Sequence, residues 1–279
     1  MTATTPEHAP LLAVDGLRKT YGLPGGGSLT AAEDITFTVA AGGSLGIVGE
    51  SGSGKTTVAR MLVGLVRPDA GTVSVAGRAR TPGTPRGRAA RLARAREIQM
   101  VFQDPYVSLD PRLTARRCLT TALRLHGREE ALADGLLDQV GLGAREAGAL
   151  PHGLSGGQRQ RLAIARALAV DPRVLVLDEA VAALDVSIQA QILQLLGEIR
   201  RDTGVALVFV SHDLAVVQHI TDTVLVMRCG RVVEQGPTAG VLAGPQDPYT
   251  RLLLASVPRV GWDPAEAVTA RAATAPRGA

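Results

Sequence analysis

At 279 residues, with 46% apolar and 20% charged side chains, the chain has the composition of a globular protein of one large or two modest domains, which excludes a fibrous or disordered one. No run reaches the roughly 18 apolar residues of a membrane span, and the opening MTATTPEHAP lacks the positive and apolar regions of a secretory signal, so a cytosolic chain is expected. Thirty basic against 26 acidic residues give +4, yet seven arginines between positions 78 and 96 supply that sign; take those seven away from +4 and −3 remains.

In chain order, residues 1–10 are rich in Ala, Pro and Thr and are expected to be disordered, as are residues 261–279. Residues 11–19 and 32–40 alternate as two strands joined by a glycine-rich loop, an antiparallel flap. SLGIVGE, SGSGKT and VARMLVGLV then read as strand, turn and helix, the helix running to Pro68. The arginine segment (Arg78, Arg80, Arg86, Arg88, Arg91, Arg94, Arg96) is crowded with Gly and Pro and holds no aromatic residue, so a solvated surface excursion is expected.

Residues 104–170 carry helical patterns and are expected to form a helical subdomain inserted between sheet strands. VLVL (174–177) and VALVFV (205–210) have the near-continuous apolar character of parallel strands covered on both faces. Between them Ile188, Ile192, Leu195, Leu196 and Ile199 mark a helix that ends near Gly204. A hairpin follows the last parallel strand, turning at Cys229-Gly230. Cys118 and Cys229 are too few for a disulfide framework or a four-thiolate metal site and are expected as buried thiols. The fold class is α/β, a parallel-sheet core with an antiparallel flap and a helical insertion.

Two stretches carry phosphate chemistry. GESGSGKT (49–56) fits G-x-x-x-x-G-K-[ST] in its strand-turn-helix context. Its glycines, Gly49, Gly52 and Gly54, let the backbone wrap closely round phosphate oxygens at a helix N-terminus. Lys55, one of two lysines in the chain beside Lys19, offers a point charge to the β and γ phosphates, and Thr56 a hydroxyl to Mg²⁺. VLVLDE (174–179) delivers Asp178 to the carboxyl end of a strand as a metal-shell ligand, with Glu179 placed to orient or deprotonate a water. His212 follows another such strand.

LSGGQRQR (154–161), set between these stretches, resembles the signature of ATP-binding cassette (ABC) ATPases, and the likeness runs from about residue 11 to 260. The resemblance implies a P-loop NTPase with a RecA-like core, ATP and Mg²⁺ as cofactors, and ATP hydrolysis as the activity. It assigns catalysis to Glu179, His212, Lys55 and Gln103. Nucleotide binding falls to Tyr21, which would stack on adenine, to Gly49, Glu50, Ser51, Gly52, Ser53, Gly54, Lys55, Thr56 and Thr57, and to Ser155, Gly156, Gly157, Gln158 and Asp185. Metal binding falls to Thr56, Gln103 and Asp178. Ser155 reads as an N-cap that gives the next helix a second anion site, which in the family covers the γ-phosphate held by a partner subunit.

FQDPYVSLDPR (102–112) and GPQDPYTRLLLASVPR (244–259) resemble the ATPase subunits of oligopeptide, dipeptide and nickel importers, the second within an extension at about 240–260. Asp247 stands where that group usually has His. The implied partners are separate transmembrane permease subunits, received by Gln103 and residues 104–114, a second ABC ATPase subunit (identical or a sister chain), and indirectly an extracytoplasmic solute-binding protein. The implied location is the cytoplasmic face of the cell membrane, as a peripheral subunit. A soluble ABC ATPase acting on nucleic acid and a subunit for another solute such as nickel are the alternatives. The first is disfavoured because the interval between Thr56 and Ser155 has no room for the coiled-coil or zinc insertions of the DNA-repair relatives, so no specific nucleic-acid partner is expected.

Overall fold

The computed structural model describes residues 9–83 and 85–256; the expectations for residues 1–8 and 257–279 lie outside them. β1 (Leu12–Gly22) and β2 (Ser28–Val39) pair antiparallel. Leu12, Val14 and Leu17 on one strand and Ile35, Phe37 and Val39 on the other bury a common face. β3 (Ser44–Val48) is buried at every residue. The glycine-rich turn leads from it to α1 (Lys55–Val63). This helix stops short of Pro68 because Gly64 adopts φ 82° and its N–H caps the last turn.

β4 (Ala70–Val75) and β5 (Arg78–Ala79) then join the first pair in a four-stranded antiparallel sheet ordered β2-β1-β4-β5. The flap is thus four strands rather than two. Its second half comes from a Gly-, Ser- and Thr-containing stretch with weak alternation, beyond α1 in the chain.

α2 (Arg88–Ala95) occupies the arginine segment. Arg78, Arg86, Arg88 and Arg91 are exposed, as a surface excursion requires, but Arg80 is only 9% exposed. Arg80 donates to the Leu62 carbonyl and ion-pairs with Glu97 at 3.0 Å. Arg94 donates to the carbonyls of Thr81 and Gly83 at 2.7 and 2.6 Å, and Arg96 to that of His126. The expectation of a wholly solvated run is corrected: three of its arginines donate to backbone carbonyls.

β6 (Ile98–Val101), which no sequence pattern marks, is a short edge strand just before Gln103. Four helices follow, α3 (Ala115–Leu125), α4 (Leu132–Gln139), α5 (Ala144–Ala147) and α6 (Gly156–Leu168). The chain then alternates: β7 (Val174–Asp178), α7 (Val186–Thr203), β8 (Ala206–Ser211), α8 (Leu214–Ile220), β9 (Thr223–Arg228), β10 (Arg231–Pro237), α9 (Thr238–Ala243) and α10 (Pro248–Ala255). The second sheet has the order β10-β9-β3-β8-β7-β6, parallel except for β10.

The hairpin forms at Cys229-Gly230, both with positive φ (48° and 79°). Its first strand, however, is itself the fifth parallel strand, hydrogen-bonded to β3. Cys229 sits exposed at the turn tip, a correction to its expected burial, whereas Cys118 is buried. Side chains alternate across the parallel sheet. Leu175, Leu177, Leu207 and Phe209 enter the core shared with α6 and α7. Val174, Val176, Val208 and Val210 enter the core shared with α1 and the antiparallel sheet. Each such side chain contributes about 1.5–3 kcal/mol by burial, and the two cores fix the level at which the strand ends meet.

Candidate phosphate-binding and catalytic site

β3, β8 and β7 are neighbours in one register: Val48 pairs with Ser211, and Val210 with Asp178. Their carboxyl ends therefore stand level, and the residues just beyond them, the loop from Gly49, Glu179 and His212, share one edge of the sheet. The loop is wedged between β9 and β2. A Cβ on Gly49 would lie 2.2 Å from the Met227 carbonyl oxygen, and one on Gly54 1.9 Å from that of Ala31. Only glycine fits either place. α1 opens directly from this turn with no side-chain cap and no acidic residue in its first turn. Its leading N–H groups and the positive end of its dipole are left for an anion. Ser53 adds a buried hydroxyl without a hydrogen-bond partner.

Lys55 is 4% exposed and its Nζ donates to the carbonyls of Gly49 (2.8 Å) and Glu50 (2.9 Å). Burial pushes the ammonium's pKa down, while Glu179, Asp178 and Glu50 pull it back up. Thr56 Oγ1 donates to Asp178 Oδ1 at 3.2 Å, joining the loop to the end of β7. Burial raises the Asp178 pKa against that hydrogen bond. Glu179 holds φ 48°, and its N–H donates to the Val210 carbonyl at 3.0 Å. Its Oε1 lies 3.4 Å from His212 Nδ1. The left-handed backbone fixes the direction in which this side chain leaves the strand end, and a carboxylate beside an imidazole can accept a proton. Glu50 and Ser51 are exposed on the loop, and Thr57 is half-buried in α1.

Among the described residues no three His, Cys, Asp or Glu side chains converge as a metal cage. One carboxylate and one hydroxyl, Asp178 and Thr56, suit a hard cation that shares its shell with water and phosphate oxygens, as Mg²⁺ does. The residues present fit a Mg²⁺-polyphosphate.

The remaining predicted residues come from other elements. Tyr21, 37% exposed, is the next-to-last residue of β1 in the antiparallel sheet, with Lys19 Nζ 5.5 Å from its ring centre. Gln103 is exposed, two residues past the pairing of Val101 with Leu177. Ser155 caps α6 through a capping box: its Oγ accepts from the Gln158 N–H at 3.2 Å, and Gln158 Oε1 accepts from the Ser155 N–H at 2.9 Å. A Cβ on Gly157 would meet Ile188 Cγ2 at 2.5 Å, so this turn packs against the start of α7. Asp185 caps that helix, accepting from the Ile188 N–H and the Ser187 hydroxyl at 2.9 and 2.8 Å, bonds that hold its carboxyl below the usual range. Ser155, Gly156 and Asp185 are all exposed, so the chain carries a second uncovered helix start. One residue to which no motif gives a role, Tyr249, reaches the phosphate loop, where its hydroxyl accepts from the Glu50 N–H at 3.0 Å. The only signal for it is the Pro-Tyr-Thr stretch, which names no chemistry by itself.

Residues 32–182 match the family model described as ABC transporter. A probable peptide ABC transporter ATP-binding protein, y4tS of Sinorhizobium fredii, is 48% identical over 260 residues, covering 89% of this chain and 72% of that protein. The glutathione import ATP-binding protein GsiA of Salmonella paratyphi A is 44% identical over 266 residues, 91% of this chain but only 42% of that protein. The chain thus spans less than half the length of that relative. Among solved structures, the dimeric ATP-binding cassette MJ0796 bound to ADP and Pi in a post-hydrolysis state superposes with a TM-score of 0.72 at 28% identity, over 81% of this chain and 98% of that one. So does cbiO1 of Clostridium perfringens, part of the transporter complex cbiONQ, with a TM-score of 0.72 at 28% identity over 90% and 97%.

Proposed function

Because the chain belongs to the ABC transporter family, we propose that it is the ATP-hydrolysing subunit of an importer for peptides or a similar small solute, driven by closure of two such subunits on ATP. The chain is an ABC ATPase; the importer, its solute and its partners are the proposal. The observation that carries it is the Thr56–Asp178 hydrogen bond at 3.2 Å, which ties the glycine cradle and its buried lysine to the acidic strand end.

In this reading Lys55 turns from the Gly49 and Glu50 carbonyls to the β and γ phosphates, while the first N–H groups of α1 hold their oxygens. Thr56 and Asp178 would hold Mg²⁺, which neutralises charge on the phosphate oxygens when bound. Glu179 orients a water toward the γ-phosphate and accepts its proton, and His212 steadies the Glu179 carboxylate. Tyr21 supplies the ring that stacks on adenine. Gln103, two residues past the register partner of Leu177, joins Thr56 and Asp178 toward Mg²⁺ and Glu179 in catalysis in this reading, and with residues 104–114 receives the permease. Ser155, Gly156, Gly157 and Gln158 cover the nucleotide of a partner subunit, with Asp185 at the contact.

Among the described residues no helix is long and apolar enough to cross a membrane. Separate permease subunits therefore supply the channel in this reading, and the ATPase sits on their cytoplasmic side. y4tS is named for peptides and GsiA for glutathione, itself a small peptide, which favours that solute class. Glu179→Gln tests the assignment: ATP binding should persist while turnover falls at least about 100-fold, the usual loss of a general base. Normal turnover would refute the role of Glu179. Lys55→Ala should abolish ATP binding, and retained affinity would refute the phosphate cradle.

A further inference from the structure

The phosphate loop is supported from outside by the C-terminal elements of the chain. Gly230, in the β9–β10 turn, donates its N–H to the Ser53 carbonyl at 3.0 Å. Tyr249, in the first turn of α10, accepts from the Glu50 N–H at 3.0 Å. Tyr249 is 2% exposed, and the Arg228 guanidinium lies 4.9 Å from its ring centre. Its helix is anchored independently. The Glu234 carboxylate accepts from the N–H groups of Gln246 (2.8 Å) and Asp247 (3.1 Å), and Asp247 accepts from the Tyr249 N–H at 2.7 Å. Asp247, where the related importers usually carry His, therefore acts here as the helix cap.

The Gly49–Glu50 peptide, whose N–H is that of Glu50, is where loop and lysine meet. Its N–H donates to Tyr249, and its carbonyl, that of Gly49, accepts from Lys55 Nζ at 2.8 Å. When Lys55 swings to a phosphate, this carbonyl loses a charge-assisted partner. The Tyr249 bond is then the contact from outside the loop that keeps the Gly49–Glu50 peptide oriented.

We propose that Tyr249 is a positioning residue for ATP binding: its hydroxyl holds the Gly49–Glu50 peptide so that the phosphate loop keeps its receiving shape as Lys55 changes partners. The C-terminal helix thereby sets ATP affinity. This inference rests on the reading of residues 49–56 as the ATP site.

The test is Tyr249→Phe in the full chain, with ATP as the probe. One neutral hydrogen bond is worth roughly a 3- to 10-fold change, so KM for ATP should rise by that factor with kcat within about twofold. Hydrogen exchange across residues 49–55 should quicken while that of 248–255 stays as in the wild type. Leu252→Ala, which removes a buried side chain from the same helix and spares the hydroxyl, should lower thermal stability without raising KM. Unchanged KM and unchanged loop exchange in Tyr249→Phe overturn the proposal, as does an equal KM rise in Leu252→Ala, which would make the effect one of helix anchoring. Failure of the ATP-site reading is separately visible, as ATP affinity that survives Lys55→Ala.

Discussion

At the scale of single residues, the conformation of Glu179 is the most informative. A non-glycine residue at φ 48° costs about 1–3 kcal/mol, held here by the hydrogen bond of its N–H to Val210. Glu179→Gly should relieve that strain and raise the melting temperature by a few degrees while abolishing ATP turnover. A drop in melting temperature would contradict the strain. His126 gives a second prediction. It is 6% exposed and its Nδ1 has no partner; burial first, and then the charge of Arg96, hold its pKa below 6.5. The unfolded chain thus takes up the proton before the folded one as pH falls, so stability is lost on descending through the region below 6.5. His126→Gln should flatten the melting temperature between pH 7.5 and 5, and an unchanged slope would show that His126 does not set it. Asp178, Glu179, Lys55 and Thr56 are legible in the sequence because their chemistry depends on a contiguous motif and on the end of an apolar strand. Nothing in the sequence shows that Glu179 is strained.

At the scale of elements, Arg80 shows how a charged run becomes structure. Its guanidinium draws together α1 through the Leu62 carbonyl, α2 through the Arg94 carbonyl, and Glu97 just before β6. Burial, together with the charge of Arg94, pushes its pKa down to about 10 against the pull of Glu97, so it is still charged at neutral pH. Removing one member of such a pair strands the rest. Arg80→Ala should cost about 3 kcal/mol in urea unfolding, whereas Arg91→Ala, on the exposed face of α2, should change stability by less than about 0.5 kcal/mol. Equal effects would mean that Arg80 is not a tie. The short strands β5 and β6 leave no mark in the sequence for a related reason. With two and four residues they are too brief for periodicity to register, and they exist because neighbouring strands pair with them.

At the scale of the whole molecule, one chain carries two uncovered helix starts, α1 behind the glycine-rich loop and α6 behind Ser155, each with its own supports. The capping box gives Ser155 a structural role beside the one proposed for it. Ser155→Ala should lose about 1 kcal/mol of stability and leave ATP affinity of the single subunit unchanged. Placed in the Glu179→Gln background, it should prevent the ATP-dependent dimer seen by size exclusion with light scattering. A dimer that persists would sever the signature turn from closure.

The sequence by itself settled the α/β class, the phosphate motif, the acidic strand end and the family likeness, because each is written in contiguous residues whose spacing carries the physics. Tertiary structure decided what depends on partners distant in the chain. β9 is both hairpin strand and central parallel strand because it pairs with β3. Gly49 and Gly54 must be glycine because the carbonyls of Met227 and Ala31 crowd them. Tyr249 reaches Glu50 across 199 positions of sequence. No local pattern encodes such contacts, since a hydrogen bond or a steric limit is fixed by which surfaces the folded cores bring together.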